Sequence, residues 1–136
     1  MIKTIVKDVF FLGQKSTEAT KEDLYLAKDL RDTLEFHKDA CVGMAANMIG
    51  VKKRVIIVNI GFVNLVMFNP VLVSKSSPFQ TEESCLSLEG SRPTQRYESI
   101  EVAYLDEQWM PKQLSFSGMP AQIIQHELDH LEGIII

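Results

Sequence analysis

The letter pattern predicts an α+β fold: mainly antiparallel sheet packed around one central helix near the chain's end. Three observations carry this. Helical periodicity appears in two places, over 20–38 and 118–132. Between them lie runs rich in β-branched and aromatic residues, at 54–60, 65–68, 71–75, 97–105 and 112–117. The connections between those runs are too short for helical crossovers, so successive strands should run antiparallel.

Residues 1–19 alternate short apolar stretches with Gly13, Ser16 and Thr17 and read as an arm laid over the domain surface. Thr20 followed by Asp23 resembles a capping box, and Leu24, Ala27, Leu30 and Leu34 form the apolar stripe of a helix reaching about Lys38. Cys41 to Gly50 is rich in small residues and reads as a tight loop against the core. Arg54 to Ile60 reads as a buried strand. Asn69-Pro70 should split two further strands, and Ser76-Ser77-Pro78 should form a loop. Tyr97 to Leu105 alternates like a strand with one wet face, Asp106 to Pro111 turns, and Lys112 to Ser117 returns.

The last helix concentrates the chemistry. Ser117 or Gly118, with Pro120, can start it and Gly133 can end it. At 100° per residue, Ala121, Ile124, Leu128 and Leu131 form a core sector, while Gln125, Asp129 and Glu132, bordered by Gln122, form a wet one. Ile123, His126, Glu127 and His130 fill the third. Residues four apart sit one turn above each other, so His126 and His130 can offer two imidazole nitrogens to one metal ion. Glu127 beside them can take a proton from a water activated there. Reading the two histidines as surface residues would leave Glu127 on an inward sector without a partner, which is costly.

Cys85 is the natural third ligand, since a thiolate and two imidazoles leave a coordination position open for catalysis. Cys41 as a fourth, structural ligand and Cys85 as a plain buried thiol are the alternatives. Two cysteines are too few for a disulfide scaffold, and a reducing compartment is expected.

The bulk numbers exclude other classes. At 136 residues, 46% hydrophobic and 24% charged, the chain suits a single catalytic domain over 1–136. A net charge of −4 with no Lys/Arg cluster argues against direct nucleic-acid binding. No apolar run approaches the ~20 residues of a membrane helix, and the N-terminus lacks signal-peptide order. No membrane association and a cytoplasmic location are the expectation.

Three segments in order carry a family resemblance: Cys41-Val42-Gly43-Met44-Ala45-Ala46-Asn47-Met48, Glu83-Ser84-Cys85-Leu86-Ser87 and Gln125-His126-Glu127-Leu128-Asp129-His130. Together they resemble peptide deformylase, whose motifs read Gly-x-Gly-φ-Ala-Ala-x-Gln, Glu-Gly-Cys-φ-Ser and Gln-His-Glu-φ-Asp-His, with φ apolar. The resemblance implies removal of the formyl group from the N-terminal formyl-methionine of new bacterial polypeptides, on an α+β scaffold. It implies Fe²⁺ as the physiological metal, with Zn²⁺, Ni²⁺ or Co²⁺ able to replace it. N-formylmethionyl peptides would be the substrates, with transient ribosome association.

The roles implied are metal binding by Cys85, His126 and His130, proton transfer by Glu127, and oxyanion stabilisation by the Leu86 N–H. Val42 and Gly43 would pair with the substrate backbone, Arg96 would contact substrate, and Met119 and Ile123 with Val42 would line the methionine pocket. Three positions depart from the pattern: Met48 stands where the family has glutamine, and Ser84 and Cys41 where it has glycine. A thioether cannot donate a hydrogen bond to an oxyanion. A catalytically weakened homologue that holds metal and binds peptides or regulates is therefore the second reading, and an unrelated His-Glu-x-x-His endopeptidase the third.

Overall fold

The computed structural model describes residues 1–136, with Leu88 described by its backbone alone. One antiparallel sheet of five strands, in the order β1-β2-β3-β4-β5, forms its centre. The strands are β1 (Gly43–Ala45), β2 (Val55–Asn59), β3 (Asn64–Cys85), β4 (Leu88–Leu105) and β5 (Pro111–Ser117). The helices are α1 (Val9–Leu12), α2 (Leu26–Phe36) and α3 (Gly118–Leu131). The expected α+β class and the antiparallel pairing are both present.

Strand β2 shows why the apolar run at 55–58 is continuous. Val55 and Ile57 pack with Leu26, Leu30 and Leu34 of α2, whereas Ile56 and Val58 pack with Ile124 and Leu131 of α3. A helix covers each face of this part of the sheet, so neither side can be polar. The four apolar β2 side chains, Val55 to Val58, are fully buried, each worth about 1.5–3 kcal/mol of transfer free energy.

The Thr20/Asp23 capping box forms and opens a 3₁₀ turn, Lys21–Tyr25, that leads into α2. The N-terminal arm lies where expected. Its backbone ties down through Val6 N–H to the Met48 carbonyl and Ser16 N–H to the Leu131 carbonyl, each 2.8 Å.

Three expectations need correction. Asn69-Pro70 and Ser76-Ser77-Pro78 do not break the chain; β3 runs through both, with register shifts at 68/71 and 72/74. Asn69 and Ser77 take positive φ, 50° and 61°, conformations asparagine tolerates and serine rarely adopts; the strand bulges at Asn69, whereas Ser76 and Pro78 keep register with Ser99 and Tyr97 of β4. Strand β4 begins at Leu88 rather than Tyr97, because 88–96 pair with the far end of β3 across a two-residue turn, Leu86-Ser87. The loop expected over 41–50 contains β1 and a 3₁₀ turn, Ala46–Ile49. Among the described residues no helix is long and apolar enough to cross a membrane.

Candidate active site

Two segments far apart in sequence meet here. The β3–β4 hairpin delivers Cys85 at the last residue of β3, and α3 delivers His126, Glu127 and His130 from successive turns. The His126 and His130 Nε2 atoms lie 3.0 Å apart and Cys85 Sγ lies 3.5 Å from His130 Nε2. These three ligand atoms all fall within 4.8 Å of one another. Cys41 is not part of that group, which disfavours the four-ligand alternative.

Behind the ligands sits a buried carboxylate. Glu83 Oε1 accepts from His126 Nδ1 at 2.7 Å and from the Arg96 guanidinium at 2.7 Å. Its Oε2 accepts from Arg96 Nε and from Gln122 Nε2, each at 2.9 Å. Burial would raise the Glu83 carboxyl, but donation from His126, Arg96 and Gln122 outweighs it and holds the group at about 2. An ionised partner on Nδ1 fixes the His126 ring: a proton stays on Nδ1 and Nε2 faces His130 and Cys85.

Arg96 is therefore not where the sequence reading put it. Its side chain is 5% exposed, and it also binds Asp129 Oδ2 at 2.7 Å. Both ends of the guanidinium are engaged, and it is absent from the cleft wall. Its alternation on β4 suited a cleft residue as well as a buried one; the partners Glu83 and Asp129 lie too far off in sequence to be seen without the fold. Arg96→Met should strand the buried Glu83 carboxylate and the half-buried Asp129, destabilising the protein by roughly 3–5 kcal/mol, or on the order of 10 °C or more in Tm. A thermal melt checks this; an unchanged Tm with a raised KM would return Arg96 to substrate contact.

The wet face expected for α3 is also largely covered. The Gln125 amide pairs with the Tyr97 backbone like a neighbouring strand residue, accepting from N–H at 2.8 Å and donating to C=O at 2.7 Å. Asp129 is taken up by Arg96, and of the three only Glu132 is exposed. Polar letters at these positions mark buried satisfaction by β4, and periodicity alone does not distinguish that from solvent.

Glu127 differs from Glu83, the other buried carboxylate here. It is 4% exposed and its Oε1 has no hydrogen-bond partner. Burial pushes its carboxyl up to about 7, which suits a group that must accept and return a proton near neutral pH. Gly43 packs directly over it: a Cβ there would come 2.7 Å from Ile123 Cγ2 and 3.0 Å from Glu127 Oε2. Any larger residue at 43 would displace the carboxylate, which is the physical reason for glycine at this point of β1.

A cleft of about 330 Å³ opens onto these groups. Val42, Gly43, Met119, Ile123, Cys85, Leu86, His126 and Glu127, all expected at the site, line it, as do Met48, Ser84 and Cys41. Val42 and Met119 are exposed, while Ile123 and Met48 are buried. Strand β1 is a sheet edge: the Val42 carbonyl accepts from Asn59 N–H of β2 at 2.8 Å, so by alternation the Gly43 groups face outward. The Cys41 thiol donates to the Gly43 carbonyl at 2.8 Å, and burial, with the Glu127 charge, pushes that thiol up to about 12. It is held as a neutral thiol. Sequence reasoning missed Gln122 as a site residue, although its place one turn before His126 puts it on the border of the chemical sector.

Comparison with known proteins agrees over the whole chain. A family model described as polypeptide deformylase matches residues 3–136. A peptide deformylase of Clostridium beijerinckii is 59% identical over 136 residues, covering 100% of both chains. A class I type b peptide deformylase from Acinetobacter baumannii, solved with Met-Ala-Ser bound, has TM-score 0.89 at 31% identity and covers 99% of this chain and 97% of that one. The structure of peptide deformylase from Thermotoga maritima has TM-score 0.90 at 26% identity, covering 99% of this chain and 95% of that one.

Proposed function

We infer what each side chain does from one premise: this chain belongs to the polypeptide deformylase family, and it is a metal-dependent hydrolase that removes the formyl group from N-terminal formyl-methionine. Residues 1–136 are read as one catalytic domain. The observation that carries the assignment of roles is the meeting of three unshared ligand atoms with one buried carboxylate oxygen that has no partner.

The donor set fits a divalent metal: two imidazoles turn the same nitrogen toward a thiol, and Glu83 takes Nδ1 of His126, which leaves Nε2 as the ligand atom. Cys85, His126 and His130 would hold it. Fe²⁺ is the proposed physiological ion, and Zn²⁺, Ni²⁺ and Co²⁺ suit the same borderline-soft donors. When bound, the ion supplies Lewis acidity toward water and the formyl oxygen.

The remaining steps belong to the chain. Glu127 takes the proton of the attacking water and returns it to the leaving amine, its raised affinity matching both directions. The Leu86 N–H, in the turn after Cys85, faces the developing oxyanion. The outward backbone groups of Gly43, with Val42, pair the substrate as an added strand on the β1 edge. Met119 and Ile123, with Val42, receive the methionine side chain. These uses need no nucleic acid or membrane contact. Ribosome association and a cytoplasmic location belong to the same proposal.

Formate release from formyl-Met-Ala-Ser, beside cleavage of an unformylated peptide, tests the reading. Formate with an intact Met-Ala bond is expected, and internal peptide cleavage would favour the endopeptidase alternative.

Met48 bears on rate. Its side chain is 1% exposed and lines the cleft without a donor. Met48→Gln should add a donor toward the oxyanion and raise kcat, by up to ~10-fold or about 1.4 kcal/mol of barrier. A slower Met48→Gln enzyme at equal metal loading would show that Met48 only packs the wall and that the amide is left unpaired.

A further inference from the structure

Gln122 stands on the cleft wall and at the same time touches the network behind it. Glu83 receives hydrogen bonds on all sides. Arg96 forks along one edge, His126 Nδ1 takes Oε1, and Gln122 Nε2 takes Oε2. A carboxylate offers about four lone-pair sites, so Gln122 completes the set. The terminal torsion of a glutamate is broad and roughly two-fold. Without Gln122, Oε2 keeps only Arg96 Nε, and the carboxylate plane can tilt away from the His126 proton.

We propose that Gln122 is a positioning residue for the metal site, holding Glu83, and through it the His126 ring, in the orientation that aims Nε2 at the metal. This rests on the reading of His126 as a ligand. The requirement at 122 is a donor four bonds from Cα, not an amide as such. Arginine meets it, because its Nε occupies the same place along the side chain as the glutamine Nε2.

Chelator competition with Co²⁺ on the whole chain, beside the melting temperature of the metal-free protein, tests the proposal. Gln122→Met should weaken Co²⁺ binding about 10–100-fold, the usual effect of losing a partner behind a ligand. Gln122→Arg should retain wild-type affinity. Gln122→Leu also lacks the donor and should weaken binding like the methionine variant, so it serves if Gln122→Met does not fold. Wild-type Co²⁺ affinity in either donorless variant, even with a lowered melting temperature, would make Gln122 merely structural and overturn the proposal. Loss of affinity in Gln122→Arg equal to that in Gln122→Met would overturn it too. A wild-type chain that binds no Co²⁺ would instead defeat the metal-site reading on which the proposal rests.

Discussion

Glu127→Gln keeps its metal and loses about 10²–10⁴ in kcat, or roughly 2.7–5.5 kcal/mol of barrier, the range that proton transfer by one positioned side chain contributes. The substitution is isosteric, so the packing of Gly43 and Ile123 against residue 127 should be undisturbed. What it removes is basicity, since an amide oxygen does not take a proton at neutral pH. Metal content should be unchanged, because Glu127 is not among the three ligand atoms that cluster. The measurement is kcat on formyl-Met-Ala-Ser at equal metal loading; a variant as fast as wild type would remove Glu127 from the proton path.

Cys85→Ala is expected to lose the metal. Dividing the ~10–16 kcal/mol of a four-ligand structural zinc evenly gives about 2.5–4 kcal/mol per ligand, on the order of 10²–10³ in affinity. His126→Ala and His130→Ala should fall in the same range. The first would also leave Glu83 short of a donor at Oε1, so its melting temperature should fall further. Metal analysis after gel filtration separates the outcomes, and full retention by Cys85→Ala would refute the ligand assignment.

The helix that carries the site was legible because its signals are local. His126 and His130 are one turn apart, and the spacing alone brings their nitrogens together. Cys85 was reachable by residue type and by the motif it sits in, but what seats it is the Leu86-Ser87 turn between two long paired strands. That hairpin was illegible: Asn69-Pro70 and Ser77-Pro78 are ordinary strand breakers, and only the many pairs with β4 carry the chain through them, with a bulge at the first and unbroken register at the second. The faces of α3 were read correctly where the residues are apolar and wrongly at Gln125 and Asp129. Their partners, Tyr97 and Arg96, come from a strand whose nearness periodicity cannot show. Arg96 was misplaced for the same reason. A buried ion pair is a property of two segments, and its members look like surface letters until both are located.

The most direct test of metal-dependent deformylation by this site is a titration of the chelator-stripped chain. Fe²⁺ added without oxygen, or Co²⁺, should restore formate release from formyl-Met-Ala-Ser linearly up to one equivalent per chain, while the Cys85→Ala chain stays flat. Formate release by the stripped wild-type chain at the full rate, or equal recovery in Cys85→Ala, would contradict the assignment of the site.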